Sequence, residues 1–241
     1  YLEVQTGRSL TYREMADGAD LVAGALVRAD IHPEERIAML VLDQIEFPQL
    51  FWGALKNGVV PIPLNTMLAT PIYDAILRDS RAAALVVSEA LWPVVAPAVE
   101  GNPYLRKIVV IGNAPEGTQS FDDFTNGATP RGTQPVSADE VAFWLYSSGS
   151  TGRPKGVLHV HSALKATADT YGKHILDLQE NDIVFSAAKF FFAYGLGNAL
   201  TYPLAVGASV LLYTGRPTPD AMLETLALHK PTLFCGVPTL F

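Results

Sequence analysis

The sequence has 241 residues, of which 49% are hydrophobic and 17% charged, and its formal net charge is −7. This composition is typical of a globular chain and argues against disorder, while the negative charge argues against binding to nucleic acid or to an anionic membrane surface. No unbroken apolar segment approaches the length of a membrane span. The single cysteine, Cys235, excludes an intrachain disulfide, so a cytoplasmic location is expected.

The first half of the chain alternates predicted helices with short apolar strands. Thr11 and Glu14 match a capping box, which opens a helix that ends near Pro33. Thr70 is the predicted cap of a later helix. The predicted strands are 36–42, 59–64, 83–88 and 107–112, and the helices between them are 45–57, 70–80 and 89–100. Continuous apolar strands separated by helices indicate an α/β fold with a mostly parallel sheet covered by helices.

Residues 113–138 are rich in Gly, Pro, Thr, Asn and Asp, which predicts a surface connection that Phe121 and Phe124 pin to the body. The second half returns to the alternating pattern, and Ser162 is the predicted cap of its first helix. The strands are predicted at 140–145, 157–160, 182–188, 208–213 and 232–236. The helices are predicted at 163–175, from the residue after Asn198 to Val206, and at 218–230. Cys235 falls in an apolar strand, which favours a buried, inert thiol.

The strongest functional signal is the segment 146–157, which follows the strand 140–145. It brings together hydroxyls and glycines: Ser147, Ser148, Gly149, Ser150, Thr151 and Gly152. Glycines allow a ligand to come close, and successive N–H groups form a concave anion site, to which Lys155 adds a positive charge. Pro154 excludes a Walker A loop, and the glycine spacing excludes a dinucleotide fingerprint. The residues favour a polyphosphate site, with a polar surface turn as the alternative.

Two histidines that follow this segment are candidate metal ligands. His159 and His161 form a His-x-His pair, which alternation along a strand would place on one side. No further cysteine or carboxylate ligand is close to the pair in sequence. The sequence therefore predicts no metal site in the protein itself.

The segment 146–157 resembles the signature phosphate loop of the adenylate-forming superfamily, which includes acyl-CoA and aryl-CoA ligases, peptide-synthetase adenylation domains and luciferases. The resemblance also covers 10–14, 47–65 and 236–240. It implies two sandwiched α/β lobes, with mostly parallel sheets covered by helices and the ligand site between them. Residues 34–178 would form the first lobe, and residues 1–33 with 179–241 an incomplete second lobe. The family's C-terminal lid domain would lie outside these residues.

The run Phe190–Gly197 places aromatic side chains and glycines directly after a predicted strand. It is either a hydrophobic core corner or a flat slot in which aromatic faces stack on a planar ligand. Many adenylate-forming relatives carry a Phe-His or His-His pair before the glycine here, whereas this chain has Ala193 and Tyr194 and resembles benzoate-type and hydroxybenzoate-type CoA ligases. That resemblance assigns Phe192, Ala193, Tyr194 and Gly195 to the acid. Lys189 is interpreted as a solvated residue, with steering of a carboxylate as the alternative.

The resemblance implies that ATP activates an aryl carboxylic acid to an acyl-adenylate and that coenzyme A then takes the acyl group. Lys155 and Thr151 would be catalytic, and Mg²⁺ would share the phosphate charge with the loop. An aliphatic acyl-CoA ligase, a peptide-synthetase adenylation domain and a non-catalytic nucleotide- or acid-binding module stay as alternatives, and a homodimer is left open. The family's ribose motif and C-terminal lysine have no match, so this fragment is expected to be inactive alone.

Overall fold

The structure, a computed structural model, describes residues 1–148 and 154–240. The chain divides into two compact units. The first unit consists of Tyr1–Met15, Leu42–Pro48 and Ser162–Phe241, and the second of Ala16–Val41 and Gln49–His161. These bounds differ from those of the predicted lobes, because residues 16–33 join the second unit and residues 42–48 and 162–178 join the first. The lobe boundaries themselves stay a prediction about the architecture of the family.

In chain order, the strands are β1 (Leu2–Glu3), β2 (Arg36–Leu40), β3 (Val60–Pro63), β4 (Ala84–Ser88), β5 (Lys107–Ile111), β6 (Gln119–Ser120), β7 (Val141–Ser148), β8 (Pro154–Val160), β9 (Ile183–Ser186), β10 (Ser209–Leu212) and β11 (Leu233–Cys235). The α-helices are α1 (Tyr12–Arg28), α2 (Glu46–Lys56), α3 (Thr70–Ser80), α4 (Trp92–Val99), α5 (Phe121–Thr125), α6 (His161–Thr167), α7 (Ala193–Leu196), α8 (Tyr202–Val206) and α9 (Pro219–His229). Short 3₁₀ turns lie at Glu89–Leu91 and Pro238–Leu240, and π-helical segments at Ala168–Ile175 and Gly197–Thr201.

The second unit is built on a parallel sheet whose described strands run in the order β3-β2-β4-β5-β6. Strand β4 is buried along its whole length, as expected for a parallel strand covered on both faces. A core cluster joins this sheet to α3 and α4; its fully buried members include Leu40, Ile62, Leu77, Leu85 and Val110. Burial of each such side chain contributes about 1.5–3 kcal/mol. The predicted α/β fold is confirmed.

The first unit contains a smaller parallel sheet, with described strands in the order β1-β10-β9-β11. Its core is formed by Phe185 and Leu211 from the sheet together with Met222 from α9. Strand β9 lies in the centre of the sheet, and its carboxyl end leads into the aromatic run. No helix in the described part of the chain has the length and apolar character needed to cross a membrane.

Predictions about helix caps had mixed outcomes. The capping box is confirmed, because the Thr11 N–H donates to Glu14 Oε2 at 2.8 Å and the Glu14 N–H donates to Thr11 Oγ1 at 3.2 Å. The Thr70 cap is wrong: the cap position is Ala69, and the Thr70 hydroxyl donates instead to the carbonyl of Val94 at 2.8 Å.

The predicted Ser162 cap is also wrong. Helix α6 begins at His161, directly at the end of β8, so Ser162 already lies in its first turn. The His161 N–H donates to the Glu140 carbonyl at 3.1 Å and thus has a partner without a side-chain cap. Phe121 and Phe124, in contrast, are buried and pin the connection 113–138 as predicted.

Candidate functional site

The predicted phosphate loop begins and ends on two paired strands of the second unit, β7 and β8, which together are called the hairpin. Strands β7 and β8 pair antiparallel, with Ser147 opposite Lys155 and Ser148 opposite Pro154. The prediction of a loop over the whole range 147–155 is therefore wrong at both ends, because the ladder pairs the backbone groups there. The remaining predicted phosphate-binding residues, Gly149, Ser150, Thr151 and Gly152, lie outside the described residues.

The hairpin brings two predicted donors together. The side chains of Ser147 and Lys155 are both exposed. Directly opposed residues in an antiparallel pair carry their side chains on the same face, with Cβ atoms about 5 Å apart. A hydroxyl and an ammonium group therefore lie side by side near the ends of the two paired strands. Both are hydrogen-bond donors, and the ammonium adds the charge that a phosphate oxygen favours.

Strand β7 is hydrogen-bonded to helix α3 close to its carboxyl end. The Tyr146 hydroxyl donates to Asp79 Oδ2 at 2.5 Å. Burial and this carboxylate together raise the pKa of Tyr146, so the phenol stays protonated and can donate. Gly156 lies opposite Tyr146, and a Cβ there would sit 3.2 Å from the Trp144 ring. The absence of a side chain at Gly156 thus lets the aromatic side chains of β7 lie against β8.

The His-x-His pair does not share one face of a strand. His159 lies in β8, where its ring stacks on Phe143 with 4.6 Å between centroids and 2° between planes. His161 instead begins α6, and burial lowers the pKa of both imidazoles, which favours their neutral forms. Residues 1–148 and 154–240 contain no group of three or more His, Cys, Asp or Glu that could hold a metal ion.

A cavity of about 280 Å³ lies in the second unit, at the end of the hairpin away from the turn. Its lining includes Arg36, Glu140, Trp144 and His161, and none of the predicted site residues. The Arg36 guanidinium already donates from Nε to the carbonyl of Ser80 at 2.8 Å. This cavity is therefore separate from the groups that the sequence pointed to.

The aromatic run in the first unit divides into a buried and an exposed part. Phe190 and Phe191 are buried, so the core-corner interpretation holds for them. Phe192, Ala193 and Tyr194 are exposed where α7 begins, with Phe192 and Tyr194 45% and 43% exposed. Two aromatic faces flanking an alanine are thus accessible at the amino end of a short helix. Three of the four residues assigned to the acid are available to a ligand.

Gly195, the fourth, is buried and closely packed. A Cβ at this position would lie 2.1 Å from the carbonyl oxygen of Lys189 and 2.5 Å from that of Ala188. Only glycine permits this approach without moving the backbone. The close contact that the sequence suggested for a ligand is therefore made by the chain's own backbone.

Lys189 is not a solvated residue, and that interpretation is wrong. Its ammonium donates to the carbonyl of Tyr213 and lies 5.2 Å from the centroid of the Tyr213 ring. Burial lowers the pKa of Lys189, and the nearby Asp43 carboxylate partly offsets this effect. The sequence showed an apolar strand end beside Lys189 but gave no sign of the distant aspartate.

Asp43 is the residue that sequence reasoning missed. It is 4% exposed, and burial raises its pKa to about 6, against the opposing effects of Lys189 and of the Phe190 N–H. The one available signal was a lone carboxylate after the apolar run 37–42, between a strand and a helix. Buried carboxylates with a raised pKa are common in functional sites, although structural pairs show the same property.

Residues 2–241 match the AMP-binding enzyme family. The chain belongs to this family. It is 44% identical over 238 residues to a 4-hydroxybenzoate--CoA/benzoate--CoA ligase of Rhodopseudomonas palustris, covering 97% of this chain and 43% of that protein. It is 47% identical over 234 residues to a benzoate--CoA ligase of Thauera aromatica, covering 97% of this chain and 44% of that protein. The resemblance found in the sequence is confirmed.

Solved structures of AMP-binding enzymes give the same result for the fold. A benzoate CoA ligase from Burkholderia xenovorans LB400 matches with a TM-score of 0.89 at 44% identity, over 96% of this chain and 46% of that one. An anthranilate CoA ligase in complex with anthranoyl-AMP matches with a TM-score of 0.93 at 37% identity, over 97% and 46%. The chain thus spans less than half the length of these relatives.

In this member of the AMP-binding enzyme family, Tyr194 has a polar neighbour. Its hydroxyl lies beside the thiol of Cys235, at the end of β11. Burial raises the pKa of Cys235 to about 11, so the thiol stays protonated, as predicted for a buried cysteine. Burial also raises the pKa of Tyr194. Tyr194 is therefore uncharged, as Phe192 always is, and both side chains suit contact with the flat, apolar part of a ligand.

Proposed function

We propose that the full-length protein activates a benzoate-like aryl carboxylic acid with ATP and transfers the acyl group to coenzyme A. A carboxylate oxygen attacks the α-phosphorus of ATP, the bond to pyrophosphate breaks, and an acyl-adenylate forms. The thiolate of coenzyme A then attacks the acyl carbon, and AMP leaves. The observation that carries the proposal is the exposed group Phe192, Ala193 and Tyr194, in a chain whose relatives are named benzoate and 4-hydroxybenzoate CoA ligases.

In this proposal the hairpin binds the phosphates. Ser147 and Lys155 are opposite each other and exposed, and the segment between them in sequence contributes Ser148, Gly149, Ser150, Thr151 and Gly152. Lys155 and Thr151 act as catalytic donors that stabilise the charge developing on the phosphates during displacement. ATP arrives as its Mg²⁺ complex, in which the ion neutralises part of the same charge. Because Ser147 and Lys155 lie on paired strands, their backbone needs little reorganisation when the nucleotide binds.

The acid lies against the first turn of α7. Ala193 is the smallest exposed side chain there and leaves room for a planar ring, while Phe192 and Tyr194 offer aromatic faces on either side of it. An aryl acid has few rotatable bonds to lose on binding, whereas an alkyl chain of similar size loses several. The site therefore favours an aryl acid over an aliphatic one.

The test is a matched pair of alanine substitutions in the full-length protein. Ala193→Leu fills the space for the ring, so we expect the KM for benzoate to rise by about tenfold or more, with little change in the KM for ATP. Ala205→Leu, on the exposed face of α8, adds the same methylene groups elsewhere and is the control. Equal effects of the two variants on the KM for benzoate would contradict the assignment of the acid site. An absence of pyrophosphate exchange with any acid would favour a non-catalytic binding module.

A further inference from the structure

Asp43 holds the start of the aromatic run from outside the predicted site. It lies on the segment Leu42–Pro48, which belongs to the first unit together with the run itself. Its Oδ1 accepts the backbone N–H of Phe190 at 3.1 Å. From the same segment, the ring of Phe47 lies 4.6 Å from that of Phe190. Phe190 is thus held through its main chain by a carboxylate and through its side chain by an aromatic contact.

The segment that carries Asp43 is itself fixed by a network of charged groups. The Glu3 carboxylate is buried and accepts the backbone N–H of Ile45 at 2.8 Å. The Arg8 guanidinium bridges Glu3 and Glu46, with a contact of 2.6 Å to each. Hydrogen bonds to ionised groups are stronger than neutral ones, and a satisfied network restricts movement. The segment that carries Asp43 is therefore held in place by these hydrogen bonds and ion pairs.

The backbone that Asp43 fixes sets the position of α7. The Phe192 N–H donates to the Lys189 carbonyl at 3.0 Å. The same carbonyl oxygen faces Gly195, where no Cβ would fit. This leaves little space between residues 188–190 and the helix. A displacement of the Phe190 backbone would therefore move the first turn of α7, which carries Ala193 and Tyr194.

We propose that Asp43 is a positioning residue for the acid-binding turn: its carboxylate fixes the Phe190 backbone so that Phe192, Ala193 and Tyr194 are held in place for the aryl acid. The inference rests on the proposed function, because the ligand is the aryl carboxylate of that proposal. The Lys189 ammonium, which donates to the carbonyl of Tyr213, also attracts the Asp43 carboxylate.

The first test follows the backbone directly and needs no ligand. In the full-length protein we expect Asp43→Ala to raise hydrogen exchange in a peptide covering 189–196 by about tenfold or more, the effect of losing a hydrogen bond to a charged group. Asp43→Asn keeps an acceptor oxygen and should restore most of the protection. Met222→Ala, in the core of the same unit, is the control for a general loss of stability. Unchanged exchange at 189–196 in Asp43→Ala would overturn the inference.

The second test separates positioning from folding. For Asp43→Ala we expect the KM for benzoate to rise by about tenfold while the KM for ATP stays within about twofold of wild type. Equal increases in both constants, or the same shift in Met222→Ala, would overturn the positioning role. Failure of the wild-type protein to use any aryl acid would refute the proposed function instead. The exchange experiment would still report whether Asp43 holds this backbone.

Discussion

The buried carboxylate of Asp43 should make the stability of the first unit depend on pH. Burial raises its pKa from 3.8 to about 6, so the folded chain binds this proton more tightly than the unfolded chain does. The favourable contribution of Asp43 to the free energy of unfolding is therefore fully present below pH 3.8 and is lost as the pH rises through about 6. A pKa shift of about two units corresponds to a change of about 3 kcal/mol in the free energy of unfolding. Most of this change occurs between about pH 4 and pH 7.

Asp43→Asn removes this titration while retaining an acceptor for the Phe190 N–H. Relative to this variant, wild-type protein should lose about 2–3 kcal/mol of unfolding free energy between pH 4 and pH 7. The sign of this pH dependence is specific to a buried carboxylate. A carboxylate stabilised mainly by a salt bridge would make the unfolding free energy rise with pH instead. The charged group that faces Asp43 is Lys189, whose attraction lowers the carboxyl pKa but does not outweigh burial.

The assay must report on the first unit. All the tryptophans, Trp52, Trp92 and Trp144, belong to the second unit, so intrinsic tryptophan fluorescence would follow the wrong part of the chain. Full-length protein can instead be equilibrated in urea at each pH and then labelled by a hydrogen-exchange pulse at one common pH, with peptides from β9 as the probe. Asp220→Asn, at an exposed position in α9, is the matched control. A difference between wild type and Asp43→Asn that stays constant from pH 4 to pH 7 would refute the reasoning.

Other substitutions test the packing and the phosphate site. Gly195→Ala should lower the unfolding free energy by about 1–3 kcal/mol because backbone atoms occupy the space of the new methyl group, whereas Gly132→Ala, in open space, should not; equal stabilities would contradict this. Tyr146→Phe should cost about 1–2 kcal/mol through loss of the hydrogen bond to Asp79, and an unchanged urea midpoint would count against that bond's contribution. Lys155→Ala should weaken transition-state binding by about 2–4 kcal/mol with an unchanged circular dichroism spectrum, and unaltered pyrophosphate exchange would remove this lysine from the site.

Local patterns in the sequence were sufficient to predict most of the fold. Apolar runs bounded by glycine, proline or polar residues predicted the strands of the two parallel sheets, with ends within a few residues of those observed, except for the two-residue strands β1 and β6, which were missed. The capping box at Thr11 was correct because both of its partners are close in sequence. The hairpin ends at Ser148 and Pro154 were missed because hydroxyls, glycine and proline are also typical of loops. Strand pairing across the turn overrode that preference.

The candidate site was predictable only in part, for a physical reason. The exposed residues at the start of α7 follow from a local motif. The hydrogen bond from Phe190 to Asp43, in contrast, joins residues 147 positions apart, and no periodic pattern reports such a contact. The partial burial of Lys189 likewise involves Tyr213, which follows β10 and is 24 positions away in the chain. The packed role of Gly195 became visible only when the neighbouring carbonyl oxygens were in place.

The most direct test of the central claim is the acid specificity of the full-length protein in ATP–pyrophosphate exchange. Specificity constants should be measured for benzoate, 4-hydroxybenzoate and octanoate under the same conditions. We expect one of the two aryl acids to exceed octanoate by about a hundredfold or more, because a flat site with aromatic side chains at Phe192 and Tyr194 discriminates by shape. A clear preference for octanoate would contradict the aryl-acid proposal and leave membership of the AMP-binding enzyme family unaffected.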